Sequence, residues 1–135
     1  MSNTSKNGWI IIIIAFLFTV GLMNSGLALG EQFKTIKDGV EDSLKNTKTL
    51  VIVLSGKNCS WCVKQKFELK GVTDFNYVVV NHRDHPNLMK NNSSSIPQLI
   101  IITHTSSGKW IHKSYVGYKN KQEIRKRIKW QQNLS

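Results

Sequence analysis

Cysteine, proline and acidic side chains are all scarce in this sequence: 135 residues hold two Cys, two Pro and eight Asp plus Glu. One pair of cysteines cannot make a disulfide-stapled scaffold, so a domain of this length must rely on an apolar core. No internal repeat and no long linker interrupts the chain, which points to one compact domain. Because acids are few, the 19 Lys and Arg leave a formal charge of +11. Such a surface attracts anionic partners and says nothing about fold. Aromatics interleaved along a basic groove, which would support nucleic-acid binding, are missing.

Only one long hydrophobic run is present. "WIIIIIAFLFTVGLM", Trp9 to Met23, follows the short polar "MSNTSKNG", and Ala28 and Gly30 supply small residues before Glu31. That is the pattern of a signal peptide cleaved after residue 30. Extended through Asn24 and Ser25 to Leu29, the same run reaches about the 20 residues of a membrane-spanning anchor. Lys34, Lys37 and Lys45 after the run, against Lys6 before it, bias an uncleaved anchor the other way. Domains translocate largely regardless of such charges. The expectation is a signal peptide or anchor over 1–30 and one domain over 31–135. That domain lies outside the cytoplasm, periplasmic or secreted, either free or held by residues 9–29.

Phe33, Ile36, Val40 and Leu44 recur at three- and four-residue steps, the stripe of an amphipathic helix. "TLVIVLS" (49–55), "YVVVN" (77–81) and "QLIIIT" (98–103) are short β-branched runs suited to strands buried on both faces. The cysteine segment, with Val63 and Phe67 on one helical face, separates the first two. A polar stretch with room for a short helix separates the second and third. This β-α-β-α-β order predicts three parallel strands with right-handed crossovers. "THTSSGKW" and "WIHKSYVG" read as a hairpin adding an antiparallel edge strand. "NKQEIRKRIKW" reads as a last helix, with Asn120 capping, Glu123 three residues on, and Ile124 and Ile128 as its apolar stripe.

"GKNCSWCVKQKFEL" (56–69) carries the chemistry. A cysteine at a helix N-terminus faces unpaired backbone N–H groups and the positive end of the dipole, which favours thiolate over thiol. Lys57 adds to that pull. Cys62, one turn further in, can close a small ring with Cys59 and is too deep to be attacked easily. The expected roles are Cys59 as attacking and Cys62 as resolving thiol.

Together with "SSIPQLIII", "VVVNHRDHP", "SSGKW" and "YVGYKNKQEI", the cysteine segment resembles the thioredoxin superfamily over residues 33 to 130, most closely its exported thiol:disulfide-interchange branch. The resemblance implies an α/β thioredoxin-like fold, a mixed sheet flanked by helices. It implies an enzyme, a thiol-disulfide oxidoreductase acting on protein thiols and disulfides. A partner dithiol or reductase would be its electron source or sink, and no cofactor is needed. Ile96 and Pro97 would form the cis-proline segment opposite the cysteines, lining the substrate groove with Trp61. Ser60-Trp61 stands where thioredoxin has Gly-Pro, and Val53 replaces its buried aspartate.

Other readings of the same residues are two buried thiols packed as small hydrophobes, a static disulfide, or a zinc site of Cys59, Cys62, His82 and His85 with unusual spacing. A further alternative is a basic, membrane-associated binding module on this scaffold with idle cysteines. The basic segment from Lys119 to Lys129 suits either the solvated face of a helix or an anionic membrane surface.

Overall fold

The computed structural model describes residues 29–90 and 93–134. The leader or anchor expected over 1–30 falls almost wholly outside them. Among the described residues no helix is long and apolar enough to cross a membrane.

One sheet holds β1 (Gln32–Phe33), β2 (Leu50–Ser55), β3 (Asn76–Asn81), β4 (Gln98–His104) and β5 (Trp110–Val116), in the spatial order β1-β3-β2-β4-β5. Among the described residues three helices flank it: α1 (Ile36–Asn46), α2 (Ser60–Leu69) and α3 (Lys121–Gln132). Every residue of β2 is buried. A central strand covered on both faces has no solvent side, so its sequence is continuously apolar instead of alternating. Val51 and Val53 join Leu99, Ile101, Leu69, Ile124 and Ile128 in the core beneath α2 and α3. Leu50, Ile52 and Leu54 point the other way, towards Ile36 and Val40 of α1.

The expected parallel order fails at its third strand. β4 runs antiparallel to β2, with Leu54 opposite Gln98 and Leu50 opposite Ile102. The cause is where the connection starts and stops. β3 ends with Asn81 beside Ser55, and β4 begins with Gln98 beside Leu54, so both ends lie at one end of the sheet. A parallel strand would require a crossover along the full strand length. Here two single 3₁₀ turns, His82–Asp84 and Pro86–Leu88, stand where a short helix was expected. The third parallel strand is β1, which pairs Gln32 with Tyr77 and Phe33 with Val78. Phe33 therefore belongs to a strand, and α1 starts after Thr35, whose hydroxyl accepts the Asp38 N–H.

α3 follows its sequence signal: Asn120 Oδ1 accepts the Glu123 N–H at 2.8 Å, and Ile124 and Ile128 are buried. α2 does not. Val63 and Phe67 are 63% and 76% exposed, because the helix is rotated to bury Cys62, Gln65 and Leu69 instead.

The side chains of Gln65, Asn76, Gln98 and Gln131 are wholly buried, and all four are hydrogen-bonded. Asn76 donates to Asp42 and to Ser43 on α1 while accepting the Glu31 N–H. Gln131 ties α3 to the sheet, donating to the Ile101 carbonyl and accepting from the Tyr115 hydroxyl. A buried carboxamide is tolerated only when so paired, and each pairing fixes one connection against a strand or helix.

Candidate active site

The site is assembled where β2 ends. Gly56 follows the strand at a close approach: a Cβ there would lie 2.6 Å from Ile96 Cδ1 and 3.0 Å from the His82 ring, so one of these side chains would have to move. Asn58 then takes a left-handed conformation (φ 53°), which Asn tolerates better than most residues. That turn delivers Cys59 to the N-cap of α2.

Cys59 and Cys62 form a disulfide. Cys59 is half-buried and Cys62 wholly buried, so only one of the two sulfurs is open to an incoming thiolate. The Cys62 N–H donates to Cys59 Sγ at 3.1 Å, and Cys59 O accepts the Val63 N–H. When the pair is reduced, the same backbone donor and the helix N-terminus stand ready to stabilise a Cys59 thiolate.

The second wall comes from the loop before β4. Cys59 Sγ lies 3.8 Å from the Ile96 carbonyl oxygen, and the Ile96–Pro97 peptide bond is cis. Gln98 holds this loop from beneath, accepting the Lys90 N–H at 2.8 Å and donating to the Ser95 carbonyl at 3.0 Å. The third wall is the turn after β5. Gly117, with φ 95°, donates its N–H to the Pro97 carbonyl. Gln65 on α2 locks the next residues from the other side. Its amide donates to Lys119 O and its carbonyl accepts Lys119 N–H, both at 2.8 Å.

Of the residues singled out from sequence, Cys59, Cys62, Ile96 and Pro97 converge here. Trp61 stands beside them, 52% exposed. His82 packs against Gly56, but it does not join the cysteines and His85 in a metal-ligand set. Among the described residues no three His, Cys, Asp or Glu side chains are so gathered. Sequence reasoning missed Lys64, Gln65, Glu68 and Tyr118. The Tyr118 ring lies 5.5 Å from that of Trp61, and its hydroxyl donates to Glu68 Oε2 at 2.7 Å. Glu68 Oε1 accepts the Lys121 N–H at 2.7 Å. That backbone donor first, then the Tyr118 hydroxyl, holds the Glu68 carboxyl below its ordinary value, and Glu68 in turn raises the Tyr118 phenol. The only signal for Tyr118 was its place after Gly117 in "YVGYKNKQEI".

Among solved structures, a thioredoxin from Thermus thermophilus matches over 77% of this chain and 87% of its own, with a TM-score of 0.53 and 11% identity. Plasmodium falciparum thioredoxin matches over 73% and 84%, at 0.53 and 16%. The chain has the thioredoxin fold. Chloroplastic thioredoxin z, whose structure is described as defining a type-specific target recognition, matches over 77% and 95%, at 0.50 and 14%. No family model matches the sequence, and no curated protein does. Within this thioredoxin fold, Val53 is wholly buried between Val79 and Leu99. That position therefore offers Cys62 no carboxylate as proton acceptor.

Proposed function

We propose that the chain is a thiol-disulfide oxidoreductase that exchanges disulfides with client proteins outside the cytoplasm. The observation that carries this reading is the disulfide at the strand-to-helix junction, one sulfur open and one buried, beside the cis Ile96–Pro97 bond. In the reducing direction the Cys59 thiolate attacks one client sulfur, and the client S–S bond breaks as a mixed disulfide forms. The expelled client thiolate takes up a proton. Cys62, deprotonated, then attacks Cys59 Sγ, closes the ring and releases the second client thiolate, which is protonated in turn. Two electrons and two protons pass to the client, and a partner dithiol restores Cys59 and Cys62. The oxidising direction reverses each step.

Trp61, Ile96 and Pro97 form the groove that receives the client backbone. The apolar run over residues 9–29 supports export, either with cleavage or as an anchor. A contact with an anionic membrane surface is supported by the exposed Lys126 and Lys129 of α3 beside the half-exposed Trp130.

Insulin reduction with dithiothreitol as electron source tests the reading. The chain should accelerate it, and Cys59→Ser should abolish the acceleration. A folded chain no faster than dithiothreitol alone would leave the binding-module reading in its place.

A further inference from the structure

The groove has a side that the proposed reaction does not use. Lys64 lies on α2 two residues beyond Cys62, and its ammonium stands 4.9 Å from the ring centroids of both Trp61 and Tyr118. A lysine on an exposed helix normally sweeps a wide volume. Here two aromatic faces attract it at once, and both rings are themselves held. Trp61 sits within the cysteine motif. Tyr118 is tethered by its hydroxyl to Glu68, whose other oxygen accepts from the Lys121 backbone. Both Glu68 oxygens are thus engaged. A second cation, Lys119, lies on the turn that forms the third wall, its ammonium 3.1 Å from the Val116 carbonyl. The ammonium held beside Trp61 is that of Lys64, and Lys119 adds a second positive charge on the turn of the third wall.

We propose that Lys64, clamped between Trp61 and Tyr118 and seconded by Lys119, is a specificity-determining residue that selects clients with an acidic side chain next to the reacting cysteine. The inference rests on the oxidoreductase reading above. Glu68 and Tyr118 are positioning residues: they set where the charge stands, and the cysteines perform the exchange. A fixed charge at a groove rim acts mainly on encounter and register, so its effect belongs in kcat/KM and fades with salt.

The test uses the full chain in neutral detergent, with dithiothreitol as electron source and three disulfide-closed peptides. These are identical except for Glu, Gln or Lys on both sides of one cysteine. At low salt the Glu peptide should be reduced about fivefold faster in kcat/KM than the Lys peptide, the size expected of opposed exposed charges. Lys64→Met should bring that ratio to about twofold or less. Tyr118→Leu should lower it too, although it removes no charge, because the ammonium is no longer placed. Lys129→Met, eight residues down α3 from the Lys121 that meets Glu68, removes one charge and should leave the ratio as it was. An unchanged ratio in Lys64→Met, or an equal fall in Lys129→Met, would overturn the clamp and leave only net charge. If the chain reduces the Gln peptide but shows no preference between Glu and Lys, the clamp fails and the oxidoreductase reading stands. No acceleration over dithiothreitol alone with any of the three overturns both.

Discussion

Replacing Gln65 by Leu removes a pair of hydrogen bonds while keeping most of the side-chain volume. Gln65 is wholly buried, and its carboxamide meets the backbone of Lys119, 54 residues away, at 2.8 Å in both directions. A typical internal hydrogen bond contributes about 1 kcal/mol net, and one whose partner is left unpaired costs more. Losing both should therefore cost about 2–3 kcal/mol. With a urea m-value of about 1.5 kcal/mol/M, the unfolding midpoint falls by about 1.3–2 M. The melting temperature should fall by roughly 10–20 °C for a domain of this size. Urea titration of the oxidised protein, followed by far-ultraviolet circular dichroism, reads this directly. Gln65→Glu supplies an internal check. A neutral carboxylic acid can still donate to Lys119 O and accept from its N–H, whereas a carboxylate can only accept and is repelled by that carbonyl. Burial and the lost donor raise the folded carboxyl above its unfolded value of about 4.3. The penalty therefore sets in above the unfolded value and grows until pH passes the folded one, so this variant should be closer to wild type at pH 5 than at pH 8. A midpoint shift below about 0.3 M in Gln65→Leu, or a penalty in Gln65→Glu that ignores pH, would refute the reciprocal clamp.

Cys62→Ser should accumulate mixed disulfides with client proteins on non-reducing gels, and Cys59→Ser should accumulate few; equal trapping would contradict the assigned order of attack. Asp74 accepts two hydrogen bonds from Arg125, at 2.9 and 3.1 Å, which hold its carboxyl below the ordinary 3.8. Its contribution is present above the unfolded value and lost as pH falls through the folded one. Since both side chains are about half exposed, Asp74→Asn should cost less than about 1 kcal/mol at pH 7. The deficit should shrink as pH falls below 3.8, as paired urea titrations would show. Changing the exposed Lys126 and Lys129 to Gln should weaken binding to anionic vesicles at 0.05 M salt and make little difference at 0.5 M, where the Debye length is only about 4 Å; equal binding at low salt would remove the basic helix from any membrane contact.

Much of the architecture was legible because its signals are local. Three β-branched runs marked β2, β3 and β4, since a strand buried on both faces must be apolar throughout. Asn120 and Glu123 marked the start of α3, because a cap acts within one turn. The junction of Ser55, Gly56 and the cysteine motif placed Cys59 at a helix N-terminus, and with it the asymmetry between an open and a buried sulfur.

Direction, rotation and pairing were decided elsewhere. The run of Gln98–His104 reads the same whether β4 is parallel or antiparallel to β2; only the positions of Asn81 and Gln98 at one end of the sheet settle it. Val63 and Phe67 have the spacing of a core stripe, yet burying Cys62, Gln65 and Leu69 turns them outward, because one helix can present only one face to the sheet. The carboxamides of Gln65, Gln98 and Gln131 are indistinguishable in sequence from those on a surface. Their partners are backbone groups, and for Gln131 also the Tyr115 hydroxyl, supplied by other segments, and no propensity or period encodes a contact across 54 residues. Lys64, Glu68 and Tyr118 are ordinary helix and turn residues until the chain brings Gly117 against Pro97. The sequence by itself therefore determined where β2, β3, β4 and α3 lie and that two cysteines stand at the head of α2. Tertiary structure alone decided what surrounds those cysteines, since hydrogen bonds, burial and ring contacts between distant segments exist only once the core has formed.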